Sequence, residues 1–306
     1  MHVLVTGANG YLGAGIVRHL CDLQCQVTAA ATSFEHVDPR AIKAPGDVLS
    51  FEDPFAHYGR PDVVLHLAWR DGFRHQSKTH VDELPRHMDF IDRLVDAGLP
   101  QLAVMGSMHE VGYHEGEVDE HTPCEPLSPY GIAKNALRQY CRYRCADSDT
   151  ILQWLRGFYI VGSDPRGSSI FSKLVEATNS GQTHFPFTTG RNKYDFLDYE
   201  DFCHLTVLTI LQTELDGIIN ICSGHPLSLG ERIRSFIREN DLDIELDYGA
   251  FPDRPYDSPE IWGDAAAIRS IATRQTQIAS NFNALRALPQ ETVSSKMDRR
   301  LRGELS

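Results

Sequence analysis

The stretch Met1-His2-Val3-Leu4-Val5-Thr6-Gly7-Ala8-Asn9-Gly10-Tyr11-Leu12-Gly13 decides how the rest of the chain is read. Its opening is an apolar, β-branched run of the kind that forms a short buried strand. Directly after it the apolar residues Ile16, Val17, Leu20 and Leu23 fall at helical spacing. Gly7, Gly10 and Gly13 fill the joint between the two patterns. Glycines suit such a joint because the chain must turn tightly, admit an anion close to its backbone and pack helix against strand. A pyrophosphate there meets free N–H groups at the helix N-terminus. The spacing is Gly-x-x-Gly-x-x-Gly, not the Gly-x-Gly-x-x-Gly of the older dinucleotide fingerprint.

Outward from this joint, strand and helix patterns alternate. Residues 26–31, 61–68, 100–105 and 150–156 read as further strands. Such alternation predicts an α/β fold, a parallel sheet covered by helices on both faces, with ligands gathering at the carboxyl ends of its strands. Beyond about residue 163 the pattern loosens, with Gly, Pro, Thr and aromatic residues clustered in 181–198 and 248–263. The expected organisation is a dinucleotide-binding domain over 1–163, rejoined by segments near 200–222. A smaller lobe follows over 164–272, and then a C-terminal extension over 273–306 to which no chemistry is assigned.

A chain of 306 residues with 42% hydrophobic content can fill an ordinary globular core. The formal net charge of −13 disfavours broad binding to nucleic acid or to an anionic membrane, which need clustered Lys and Arg. No apolar run approaches membrane-spanning length, and the N-terminus lacks a charged, cleavable leader, so the expected location is cytoplasmic. The seven cysteines contain no Cys-x-x-Cys pair. Cys21/Cys25 and Cys141/Cys145 stand at i, i+4 spacing, as small apolar residues on buried helix faces would. The fourteen histidines form no His-x-x-x-His beside a carboxylate, and no metal site is expected.

The second informative stretch is Ser128-Pro129-Tyr130-Gly131-Ile132-Ala133-Lys134. Four-residue spacing stacks the Tyr130 phenol and the Lys134 ammonium on one helix face. A free phenol titrates near about 10, and a neighbouring cation favours its anion, so the pair suits proton transfer to and from an oxygen. By itself the spacing also occurs on amphipathic helices that have no such role.

With the glycine joint and the Tyr130/Lys134 pair on one scaffold, the chain resembles the extended short-chain dehydrogenase/reductase superfamily. Within it, the similarity is to the NAD-dependent epimerase/dehydratase family and its nucleotide-sugar 4-ketoreductase/epimerase branch. The resemblance runs from Met1 to about residue 271. It is carried in order by Thr6 to Gly13, Gly46-Asp47-Val48, His66-Leu67-Ala68, Tyr130 to Lys134, Leu155-Arg156, and the run from Arg254-Pro255-Tyr256-Asp257 to Ala265. It implies a Rossmann-type doubly wound parallel sheet with a smaller C-terminal substrate-binding lobe. It also implies a cofactor site in which Gly7, Asn9, Gly10, Tyr11, Leu12 and Gly13 form the pyrophosphate end. Asp47, beside Val48, would accept a hydrogen bond from the adenine amino group, and Leu67, Ala68 and Trp69 would line the ribose and nicotinamide side. Lys134 would hold the nicotinamide ribose and depress the Tyr130 pKa while Tyr130 exchanges a proton with a sugar oxygen.

Departures from the family pattern narrow the reaction. The second strand ends at Ala31, followed by Thr32 and Ser33, where NAD-preferring relatives carry an aspartate; lacking a carboxylate to repel a 2′-phosphate, this end favours NADP slightly over NAD. Met108 stands where the family places a catalytic Ser or Thr, which leaves Ser107 as the substitute hydroxyl. Sugar 4,6-dehydratases carry Thr-Asp-Glu where this chain has Met108, His109 and Glu110. Glu110 could still act as a base and His109 as an acid, and a loop carboxylate capping nearby N–H groups is an equal reading of Glu110. Tyr159 replaces the substrate-binding Asn of hexose 4-epimerases, Tyr194 the Arg of their Arg-Asp-Tyr motif, and Lys193 and Arg254 are candidate diphosphate contacts.

These residues imply an NAD(P)-dependent oxidoreductase that acts on a nucleoside-diphosphate sugar, reducing a 4-keto-6-deoxyhexose with Tyr130 as proton donor. The alternatives are an epimerase or dehydratase that recycles bound NAD, and a non-catalytic dinucleotide sensor. The resemblance suggests a homodimer.

Overall fold

In the computed structural model the apolar runs of the N-terminal half lie side by side as one twisted parallel sheet. The structure describes residues 1–274 except Ser168 and residues 253–256. β1 (His2–Thr6) leads into α1 (Tyr11–Asp22), β2 (Gln26–Ala31), β3 (Ile42–Pro45), α2 (Pro54–His57), β4 (Val63–His66), α3 (Thr79–Asp82), α4 (Leu84–Asp96) and β5 (Gln101–Ser107). β6 (Gly116–Val118), α5 (Pro129–Cys145), β7 (Ile151–Gly157), β8 (Tyr159–Val161), α6 (Ile170–Asn179), β9 (His184–Pro186) and β10 (Lys193–Asp198) follow. Then come α7 (Tyr199–Ile210), β11 (Gly217–Ile221), β12 (Pro226–Ser228), α8 (Leu229–Glu239), β13 (Glu245–Asp247) and β14 (Glu260–Gly263). Met1–Ile268 is one compact unit. The expected extension from residue 273 lies almost wholly outside the described residues.

The large sheet has seven strands in the order β11-β7-β5-β4-β1-β2-β3, and every pairing in it is parallel. The doubly wound parallel sheet expected from the alternation is therefore present. Strand order reverses at β1, which lies between β2 and β4, and in open α/β sheets a ligand crevice forms outside the strand ends at such a point. Gly7 and Leu67 are the first residues beyond β1 and β4 there.

Alternation along each strand sends side chains to opposite faces. Leu4, Val64, Leu102, Val104, Leu152 and Trp154 pack with Phe90, Ile91 and Leu94 of α4 and Leu137 and Cys141 of α5. On the other face α1 buries Ile16, Val17 and Leu20 and meets α7 so closely that a Cβ on Gly15 would lie 2.5 Å from the Tyr199 hydroxyl. Gln101 and Gln153, buried on that face, bond each other at 2.9 Å and carry the carbonyls at the end of α7. All seven cysteines are free thiols; Cys141 and Cys145 are buried on α5 as their spacing suggested, whereas Cys25 lies past the end of α1 and is only half-buried.

A smaller sheet, β12-β10-β14-β6, with β8 beside β10, sits at the carboxyl end of the large one. Its anchor is Asp195, a fully buried carboxylate that accepts from Ser223 N (2.7 Å), Ser223 Oγ (2.7 Å), Gly224 N (2.8 Å) and Gly263 N (3.2 Å). It thereby ties β10 to the exits of β11 and β14. Asp195→Ala should leave these donors dry and unpaired and cost roughly 3–5 kcal/mol in urea unfolding. Lys193→Ala, two residues away but in an exposed pair with Glu260, should cost less than about 1 kcal/mol.

Candidate active site

The glycine loop packs against the ends of β1 and β4 more tightly than any side chain would allow. Gly7 has φ +67°, and a Cβ there would stand 2.8 Å from Ala68 N. A Cβ on Gly13 would stand 2.3 Å from Gly7 O. Beside this loop is a cleft of about 420 Å³ lined by Gly7, Asn9, Gly10, Ala30 to Ser33, Gly46 to Leu49, Leu67 to Arg70, Glu83, Arg86 and His87. Bare backbone at its mouth, an apolar floor and a few polar side chains suit a dinucleotide, so the residues present fit that group.

Most of the expected cofactor residues converge on this cleft: Gly7, Asn9, Gly10, Thr32, Asp47, Val48, Leu67, Ala68 and Trp69 all line it. Asp47 caps the short turn Val48–Ser50, accepting Leu49 N at 3.1 Å and the Arg86 guanidinium at 2.5 Å. Burial pushes its carboxyl up, but Arg86 and the Leu49 amide outweigh that and hold it below the usual range. Leu12 and Gly13 lie in the first turn of α1. Tyr11 turns away from the cleft wall to stack on Tyr199 at 4.7 Å and near Phe73 at 6.3 Å.

Thr6 sets the wall opposite. Its Oγ1 accepts the Leu67 and Ala68 amides, both at 3.1 Å, so its own proton goes to His66 Nδ1 at 2.9 Å. His66 then offers Nε2–H to His87 Nδ1 at 2.9 Å. Desolvation drives the first of these imidazoles well below its ordinary pKa and the second down to about 3, so both are neutral.

Tyr130 opens α5, where Ser128 accepts Gly131 N at 3.2 Å as N-cap and Pro129 occupies the first turn. Its amide donates to His75 O at 3.1 Å, and its ring lies parallel to the His75 imidazole at 4.8 Å. The Ser107 side chain, at the end of β5, lies on the phenol's side of the turn and favours its anion. Lys134, one turn on, donates Nζ to Met105 O at 2.8 Å, stands 3.8 Å over the Trp69 ring and lies 5.9 Å from the Tyr130 ring centre. The structure thus brings Ser107, Tyr130 and Lys134 together beside Trp69 of the cleft.

Their charge states differ from the sequence expectation. Burial pushes Tyr130 up to about 12, against the Ser107 side chain, which lowers it. Burial likewise takes Lys134 down to about 7, with Glu110 pulling the other way. Lys134 does not depress the phenol here, because both ions are costly in a dry site and its ammonium faces Trp69 and a carbonyl. The phenol is therefore protonated at neutral pH.

Glu110 requires a correction. It is fully buried, with Oε1 accepting Arg156 Nε at 2.6 Å and both oxygens 3.0 Å from Trp154 Nε1. A carboxylate engaged in this way is a structural anchor, not the catalytic base considered from the sequence. His109 is pushed down to about 3 by burial, so it is not an acid at neutral pH either. Met108 is buried in the turn that follows Ser107.

Among the substrate candidates, Tyr159 joins the aromatic wall that runs from His75 and His109 to Tyr194, 6.3 Å from His109 and 4.5 Å from Tyr194. Lys193 has an exposed ammonium paired with Glu260 at 2.9 Å. Arg254 lies outside the described residues. Sequence reading missed the imidazole of His75 over the phenol, the Arg86 partner of Asp47 and the Arg156 and Trp154 partners of Glu110. Only Leu155-Arg156, as a motif, carried any signal of the last set.

Residues 3–222 match the model of the NAD dependent epimerase/dehydratase family. The chain is 38% identical over 271 residues to dTDP-6-deoxy-L-talose 4-dehydrogenase (NAD(+)) of Aggregatibacter actinomycetemcomitans, covering 86% of this chain and 99% of that one. Its fold is similar to that of UDP-glucose 4-epimerase from Thermotoga maritima with UDP-glucose, at TM-score 0.75 and 20% identity, over 88% of this chain and 92% of that one. It is also similar to the UDP-glucose 4-epimerase of Thermus thermophilus in complex with NAD, at TM-score 0.73 and 20% identity over 88% and 92%. The chain belongs to the NAD dependent epimerase/dehydratase family, enzymes of the extended short-chain dehydrogenase/reductase type.

Proposed function

We propose that the protein reduces the 4-keto group of a nucleoside-diphosphate 4-keto-6-deoxyhexose by hydride transfer, with Tyr130 as proton donor. The observation that carries this reading is a protonated phenol one helical turn from Lys134, both against Trp69 of a glycine-cradled cleft. A nicotinamide, when bound, supplies the hydride. Tyr130 Oη gives its proton to the carbonyl oxygen, with Ser107 beside the phenol, and Lys134 would hold the nicotinamide ribose. Residues 164–272 form most of the lobe that would hold the nucleotide sugar, with Tyr159 at its edge and Arg254 as a diphosphate contact. The relative named a dTDP-6-deoxy-L-talose 4-dehydrogenase supports the class, since oxidation at C4 is this reduction run backwards. Engagement of Glu110 by Arg156 and Trp154 weighs against dehydration, which needs a free base.

Purified protein offered a panel of nucleoside-diphosphate 4-keto sugars should consume NADH or NADPH stoichiometrically. No consumption, with folded protein, would remove the reductase reading, and turnover without net consumption would point to recycled NAD. Tyr130→Phe should lower kcat roughly 100- to 10,000-fold with dinucleotide affinity kept, whereas a sensor would keep its function.

Lys134 generates a separate expectation. An ammonium whose folded pKa, about 7, lies below its ordinary 10.5 destabilises the fold when protonated. That cost is present in full below about pH 7 and is relieved as pH rises from there towards 10.5. Lys134→Met should therefore raise the unfolding free energy at pH 6 by on the order of 3 kcal/mol and flatten the rise in stability between pH 7 and 10, while ending turnover. Urea titrations across that range read the slope directly.

A further inference from the structure

We propose that Glu35 selects the unphosphorylated adenosine ribose, and so NAD over NADP, in place of the acidic residue that β2 lacks. The inference rests on the reading of the cleft as a dinucleotide site. β2 ends at Ala31, and Thr32 and Ser33 line the cleft where the end of the second strand meets a cofactor ribose. Judged from those residues alone, this corner favours a 2′-phosphate.

The fold returns a carboxylate to it. Asn9, in the glycine loop, uses both amide protons on this corner, donating Nδ2 to Ser33 Oγ at 2.8 Å and to Glu35 Oε2 at 2.9 Å. Its Oδ1 accepts His36 N at 2.8 Å, which closes the clamp. Glu35 is thus held one hydrogen bond from two cleft-lining side chains. The bonds from its own amide, the Ser33 hydroxyl and Asn9 keep its carboxyl below the usual range, so it is an anion at neutral pH.

The cations nearby are already engaged. Arg86 pairs with Asp47 at 2.5 Å and Arg70 with Glu83 at 2.9 Å, both on the cleft wall. Arg40 pairs with Asp22 and Asp38, each at 2.7 Å, and Lys43 stands 5.7 Å over the Phe34 ring. Among the described residues the guanidiniums lining the cleft are paired, so a 2′-phosphate would meet the Glu35 carboxylate, whereas a ribose diol can donate to it. Because Glu35 is exposed, solvent screens the repulsion and the discrimination is moderate.

Binding of NADH, NADPH, AMP and adenosine 2′,5′-bisphosphate to the whole protein, by calorimetry and tryptophan fluorescence, tests this without turnover. The parent should favour NADH over NADPH, and AMP over the bisphosphate, by about tenfold. Glu35→Gln should shrink both preferences by about tenfold, mainly by improving the phosphorylated ligands, Glu35→Arg should reverse them, and Glu35→Asp should keep their direction. A parent that prefers NADPH would overturn the proposal. So would a Glu35→Gln or Glu35→Ala protein of unchanged melting temperature whose ligand ratios move less than about threefold. A parent that binds no dinucleotide at all would instead overturn the reading of the cleft on which the proposal stands.

Discussion

The buried ion pair between Glu110 and Arg156 is the constraint on which the rest of the site depends. Both side chains are fully buried, and neither charge would be tolerated there without the other. Arg156 comes from β7 and also donates to Asp119 O at 2.8 Å, while Trp154, two residues earlier on the same strand, donates to the same carboxylate. The turn after β5 is therefore pinned to the neighbouring strand from behind. Gly106 leaves room for this, since a Cβ there would lie 2.2 Å from Trp154 Nε1. On its other side the turn meets the start of α5, where a Cβ on Gly131 would lie 2.3 Å from His109 O. Ser107 and Tyr130 owe their nearness to that stack of contacts, strand against turn against helix.

The same carboxylate shapes the electrostatics of the dry pocket. It opposes the desolvation of Lys134 and adds to the upward push on Tyr130, so a residue that touches no substrate biases both members of the proton-transfer pair. Around them the imidazoles of His66, His87 and His109 are held neutral by burial and act as polarisable, hydrogen-bonding walls rather than as charges. The negative overall charge of the chain has little part in this, since an anionic cofactor would be met by backbone N–H groups at the glycine loop.

Much of the architecture was legible in the sequence because its causes are local. A strand, a glycine joint and a helix can be read from the first two dozen residues, as buried strands and amphipathic helices have periods of their own. The Tyr130/Lys134 spacing, the Ser-Pro helix start and the loss of an acid at Ala31 are likewise properties of short stretches. β3 carried a weaker signal, its four residues Ile-Lys-Ala-Pro being mostly exposed at the sheet edge.

Whatever depended on distant partners was decided only by the tertiary structure. Glu110 in sequence is a loop acid two residues from a missing hydroxyl, and its partner lies forty-six positions away, so its burial and its loss as a base could not be read from spacing. Lys134 appears beside a phenol in the sequence, yet it is desolvation that sets the proton affinity of both, and desolvation is a property of the packed core. Lys193 and Asp195 share one face of one strand, but Lys193 stands at its exposed end while Asp195 is buried and anchors two loops. Sequence order sets the chemistry available at each position; the fold sets which of it is dry, which is paired, and so which can react.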